Sequence, residues 1–118
     1  MKEQECIFET TDGEGRLVRY RSVIYNRHLP EHPEVAAYMK EAALTINDPD
    51  CEIEDEPEAE DSFSRVFYRF GLLRGDYAKL FIKVPVYYTR ATSEGEVATI
   101  HLARHIGRGK IIWQRNSP

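Results

Sequence analysis

Long apolar runs are missing from this chain of 118 residues. No uncharged apolar stretch approaches the roughly 18 residues that a membrane-spanning helix needs. The opening Met1-Lys2-Glu3-Gln4-Glu5-Cys6 has no apolar core of the signal-peptide kind. Cysteine is scarce, and Cys6 and Cys51 form no Cys-x-x-Cys pair, so a cytoplasmic setting with reduced thiols is expected. Gly-x-Ser-x-Gly is absent, neither cysteine has a histidine partner in sequence, and no Gly-rich phosphate loop is present. Gly107-Arg108-Gly109-Lys110 reads as a tight turn. There is no internal repeat.

What remains is ordinary globular material. Apolar residues make up 42% and aromatics 11%, enough for a packed core and too much for wholesale disorder. The length allows one domain, residues 1–118. The formal charge of −4 conceals an uneven distribution. Residues 1–62 carry 17 acids against 6 bases, and residues 63–118 carry 3 acids against 10 bases. A basic C-terminal half is compatible with a polyanionic partner, whereas the total alone argues against one. The plainer reading is that the halves neutralise each other within the fold.

Cys6–Thr10 and Leu17–Tyr25 are rich in β-formers and flank the turn residues Asp12-Gly13-Glu14-Gly15, which predicts a hairpin. Pro30 and Pro33 precede Glu34–Leu44, and Val35, Met39, Ala42 or Ala43, and, just beyond, Ile46 recur at helical spacing. Asn47-Asp48-Pro49-Asp50 ends that helix. In residues 50–61, eight of twelve are acidic, which predicts a short strand leading into an exposed loop. A calcium loop there would need a glycine turn that this run lacks. Strands are expected at Phe63–Phe70, Tyr77–Thr89 with a bulge or edge at Pro85, Val97–Ile106 and Ile111–Trp113. The expectation is therefore an α+β domain: an antiparallel sheet with one main helix on one face, in the order β-β-α-β-β-β-β.

Side chains alternate along a strand. By parity, Ala78, Leu80, Ile82, Val84 and Val86 form a core face. Arg65, Arg69, Lys79, Lys83, Thr99 and His101 gather on the other, with Phe67, Phe81 and Tyr87 interleaved. Cations beside flat rings suit single-stranded RNA, with Arg65, Lys79 and Lys83 as backbone contacts. An ordinary solvated face would also hold such residues, and a one-residue slip would dissolve the grouping.

His28-Leu29-Pro30-Glu31-His32 matches an inverted zinc-protease motif, but that chemistry needs a continuous helix, which Pro30 interrupts. No metal or other cofactor is expected. Four histidines, His28, His32, His101 and His105, and a surplus of arginines remain. Metal-free RNA cleavage needs a base for the 2′-hydroxyl, an acid for the leaving 5′-oxygen and a cation for the phosphorane. Histidine serves either proton role near neutrality, and arginine fits phosphate.

Asn26-Arg27-His28-Leu29-Pro30-Glu31-His32-Pro33-Glu34-Val35 resembles the opening of a group of small bacterial and phage domains, in which a His and then His-Pro-Glu lead into a helix. Leu44–Asp50 resembles their Leu…Asp-Pro-Asp turn. Phe67-Tyr68-Arg69, Lys79–Val86, Val97–Arg104 and Gly109–Trp113 follow in the group's order. The chain thus resembles, over residues 23–113, the barnase–EndoU–colicin–RelE class of metal-independent ribonucleases, which includes the BrnT-like toxins. The resemblance implies a core at 26–113, with residues 1–25 as an added hairpin. It implies an endoribonuclease-like activity with His28, Arg69, Thr99 and Arg104 at polar site positions. His101 stands where the group carries an aromatic residue. On this reading His28 and His101 are base and acid in either order, Arg69 and Arg104 hold phosphate, and Thr99 positions. An antitoxin-like protein partner is implied by the family alone. The alternative is an inactive binding or structural module of the same fold.

Overall fold

The computed structural model describes residues 5–54 and 59–115. It is a small α+β domain whose mixed sheet carries two helices. In chain order come β1 (Cys6–Thr11), β2 (Leu17–Arg21), α1 (Ser22–His28), a 3-10 turn (Pro33–Tyr38), α2 (Met39–Asn47), β3 (Cys51–Glu54) and β4 (Ser62–Arg69). A second 3-10 turn (Gly75–Tyr77), β5 (Phe81–Thr89), β6 (Glu94–Val97), β7 (His101–Ala103) and β8 (Lys110–Gln114) follow. Across the sheet the order is β1-β2-β6-β5-β4-β3-β8, with β7 beside β5.

The first hairpin turns on Asp12. Its Oδ1 accepts the backbone N–H groups of Glu14 at 3.0 Å and Arg16 at 2.9 Å. Gly15 adopts φ +82°, which a side chain would resist. Oδ2 accepts Arg16 Nε and the Tyr88 hydroxyl, each at 2.7 Å. Burial pushes the Asp12 carboxyl up, but the hydrogen bonds from Arg16 and Tyr88 outweigh it and hold the group below its usual value. Burial and the Asp12 carboxylate push the Tyr88 phenol strongly upward. The hairpin is thereby bonded to the central strand β5.

The sheet is not purely antiparallel, because β2 runs parallel to β6. Two features of the contact explain the pairing. Arg19 and Arg21 meet Glu94 and Glu96 across it, the first at 2.8 Å. Gly95 lies opposite Val18 with no side chain, and a Cβ there would stand 2.7 Å from Val86 Cγ1 and 2.8 Å from Tyr88 Cε2. Residues 1–25, expected as an addition, contribute Val18 and Tyr20 to the main core.

Pairing decides the faces. Phe67 lies opposite Val84, Arg69 opposite Ile82 and Arg65 opposite Val86, so these six share the face that the helices cover. Val35, Tyr38, Ala42 and Ile46 pack there on Phe67, Ile82, Val84, Val86 and Tyr88. A fully buried side chain such as Ile46 contributes about 1.5–3 kcal/mol. The other face carries a smaller cluster of Cys51, Ile53, Val66 and Tyr68 with Phe81. The segment 104–109 meets this cluster, and Gly107 N–H donates to Tyr68 Oη at 2.9 Å.

Several elements depart from the sequence pattern. Residues 22–25 were expected as strand and form the start of α1. Ile24 and Tyr25 reach the core while Val23 stays exposed, so packing overrides the local β preference. The single main helix is a 3-10 turn from Pro33 joined to α2. The strand expected at 97–106 is broken into β6 and β7. Pro85 accounts for the break. It lies inside the sheet, not at an edge, and opposite it the pairing slips by one residue, from Val86 with Val97 to Lys83 with His101, so residues 98–100 bulge as the proline led one to expect. Its carbonyl accepts Ala98 N–H at 2.9 Å, so its nitrogen faces the same side and offers that segment no donor.

Candidate functional site

Three histidines converge where α1 and its following turn meet β7. The chain beyond α1 is held by hydrogen bonds from Glu31 N–H and His32 N–H to His28 O, at 3.0 and 3.1 Å. That turn brings His32 against His101, with ring centres 4.9 Å apart and planes near perpendicular. His101 lies directly opposite Lys83 across the β5–β7 pair, so both project on the face away from α2. Burial lowers the His101 pKa, and the charges of His32, Lys83 and His28 lower it further, against a weaker opposing pull from Glu34. His32 Nδ1 is 3.7 Å from Glu34 Oε2. Lys83 Nζ is 6.0 Å from the Tyr68 ring centre, beneath the Gly107 segment.

The arrangement pairs a half-buried imidazole that stays unprotonated at neutral pH with two neighbouring imidazoles and one ammonium. Such a set can take a proton, return one and hold an anion. Beside it lies a cleft of about 290 Å³ lined by Arg21, Ile24, His28, Tyr87, Glu96, Val97 and Ala98. Tyr87 presents an exposed ring there.

The sequence-derived site residues do not all meet. His28 and His101 belong to the cluster. Thr99, two residues before His101, has a buried Oγ1 without a hydrogen-bond partner among the described residues. Arg104 follows β7 and is exposed. Arg69 is elsewhere: its guanidinium bonds Asp48 Oδ2 at 2.9 Å and the Asp48 carbonyl, and stands 3.7 Å from Asp50. Arg115 grips the same two aspartates, at 2.7 Å to Asp50. These contacts tie the ends of α2, β4 and β8 together, and Arg115 and Arg69 hold the Asp48 carboxyl below its usual range. Arg65 pairs with Glu52 at 3.4 Å and Glu54 at 3.1 Å, over the Phe63 ring. Lys79 is exposed in the turn before β5.

The expected basic face is therefore divided. Register places Arg65 and Arg69 with the core strands' buried side chains and leaves Lys83 and His101 on the opposite face. His32 stands in the sequence as one of the four histidines open to proton transfer, and Glu34 and Tyr68 carry no site role there. Among the described residues no group of three His, Cys, Asp or Glu side chains is placed to hold a metal ion. No helix is long and apolar enough to cross a membrane, among the described residues. Comparison with protein-family models, curated proteins and solved structures found no match.

Proposed function

We propose that the domain is a metal-independent endoribonuclease-like module acting on RNA. The observation that carries this reading is the contact of His32 with His101, which lies opposite Lys83 in the sheet, with His28 on the neighbouring helix end. In the reaction, unprotonated His101 takes the proton from a 2′-hydroxyl. The 2′-oxygen bonds to phosphorus, the bond from phosphorus to the 5′-oxygen breaks, and His28 or His32, in the role of general acid, supplies the proton to that oxygen. Lys83 offsets the charge of the phosphorane, with exposed Arg104 as a second cation. Arg69 is assigned to holding the fold, because both aspartates of its turn occupy it. An antitoxin-like protein would restrain such an activity in a cell.

Labelled RNA incubated with the protein in EDTA tests the reading. Cleavage is expected from the unaltered chain, with a loss of about 10²-fold or more in His101→Ala. Arg69→Ala is expected to keep cleaving once its fold is verified. RNA that is neither bound nor cut at low salt would end the proposal, as would undiminished cleavage by His101→Ala. The second reading, an inactive binding or structural module with a protein partner, is favoured by one observation: Ile111, Ile112 and Trp113 are all exposed on the outermost strand.

A further inference from the structure

We infer that β8 is the edge through which two copies of this chain pair, antiparallel, about a two-fold axis. β8 ends the sheet order, with β3 on one side and no strand on the other among the described residues. All five of its residues are exposed, including Ile111 at 55%, Ile112 at 41% and Trp113 at 45%. An open strand edge bearing large apolar side chains is a template for another strand.

The charge pattern selects a second copy as the occupant. Register pairs Lys110 with Glu54 and Trp113 with Glu52, with a shift that skips Ile112. Residues three apart on a strand normally face opposite ways, so this irregularity is what brings Lys110 and Trp113 to one face. The leading end of the strand is cationic, with Arg108 and Lys110 both exposed. The trailing end is aromatic and lined by carboxylates: Trp113 and Ile112 border a cavity of about 340 Å³ together with Glu14, Asp48 and Glu52, each of which also meets an arginine of its own chain. Arg115, also at that end, is bound to Asp48 and Asp50. An antiparallel two-fold lays the leading end of each strand on the trailing end of the other. Lys110 of one copy then meets the Trp113 ring and carboxylate-lined cavity of its mate, and the reverse contact is identical. Ile111 and Ile112 are removed from water in the middle. A nucleic acid would leave those aliphatic side chains uncovered, since they offer no stacking surface.

Sedimentation velocity of the whole chain over a range of concentrations tests this, with tryptophan emission read on the same samples. Trp113 is the only tryptophan, so emission reports on β8 directly. The expected result is a mass that doubles with concentration, emission that moves to shorter wavelength in step, and weakening by salt. Ile112→Lys and Lys110→Glu are expected to raise the dissociation constant about tenfold or more, with circular dichroism verifying the fold. Iodide quenching of Trp113 in the unaltered chain gives a readout that needs no variant: protection must rise as the dimer forms. A chain that stays monomeric at every concentration overturns the inference and leaves the edge to a different protein. A dimer in which Trp113 emission and quenching do not change overturns it as well. The histidine cluster takes no part, so RNA cleavage and dimerisation stand or fall separately.

Discussion

Replacing Asp12 by alanine is the most informative single perturbation of the fold. The Asp12 side chain is 1% exposed and accepts four hydrogen bonds: two from turn backbone, one from Arg16 and one from Tyr88. Its removal leaves the Tyr88 hydroxyl buried without its acceptor, while Arg16 keeps Glu14, at 2.7 Å, as counter-charge. Stranding a buried donor in this way costs about 1–3 kcal/mol, a sizeable share of the roughly 5–15 kcal/mol that holds a domain together. Urea unfolding followed by far-ultraviolet circular dichroism is the assay, because Trp113 sits on an edge and reports poorly on the core. Acid supplies an internal control. The folded carboxyl lies below the ordinary value of an aspartate. Its contribution is therefore present above the unfolded value and is lost as pH falls through the folded one. The stability gap between the unaltered protein and Asp12→Asn should shrink on acidification. A cost for Asp12→Ala below about 1 kcal/mol at neutral pH, as for an exposed ion pair, would refute the reasoning. So would a gap that does not change with pH.

Two further outcomes follow from the same geometry. Gly95→Ala is expected to destabilise by about 1–3 kcal/mol in the same urea assay, because its Cβ would collide with Val86 and Tyr88 in the packed core; an unchanged midpoint would contradict the tight contact. The rate of RNA cleavage is expected to hold through neutral pH and to fall on acidification, as His101 becomes protonated below its lowered pKa; a profile that rises toward acid would reverse its assigned role as base.

Local patterns in the sequence carried much of this architecture. The first hairpin followed from turn residues between β-formers, and β4 and β5 from alternation, with Ile82, Val84 and Val86 buried together as parity required. Long-range relations were not legible. Nothing local in Val18-Arg19 announces a parallel partner at Gly95-Glu96, and the clue of arginines facing Glu94 and Glu96 is visible only once the strands lie side by side. Register had the same character. Arg65 and Lys83 are both at odd positions, yet pairing with Val86 and His101 sends them to opposite faces. The candidate site was half legible for this reason: His28 and His101 could be named by residue type, but the contact of His32 with His101 and the diversion of Arg69 to Asp48 and Asp50 are tertiary facts.

The parallel contact of β2 with β6 also sets a schedule. Arg19 and Glu94 are separated by 75 positions, so β2 leaves the ribosome roughly 4–15 s before the strand it lies against. β3, β4 and β5 pair as near neighbours and can form first, as short-range contacts generally do. During the wait the apolar side chains of Val18 and Tyr20 have no finished sheet to join. The first hairpin, made well before the strand it joins, is thus among the last of the described elements to lock.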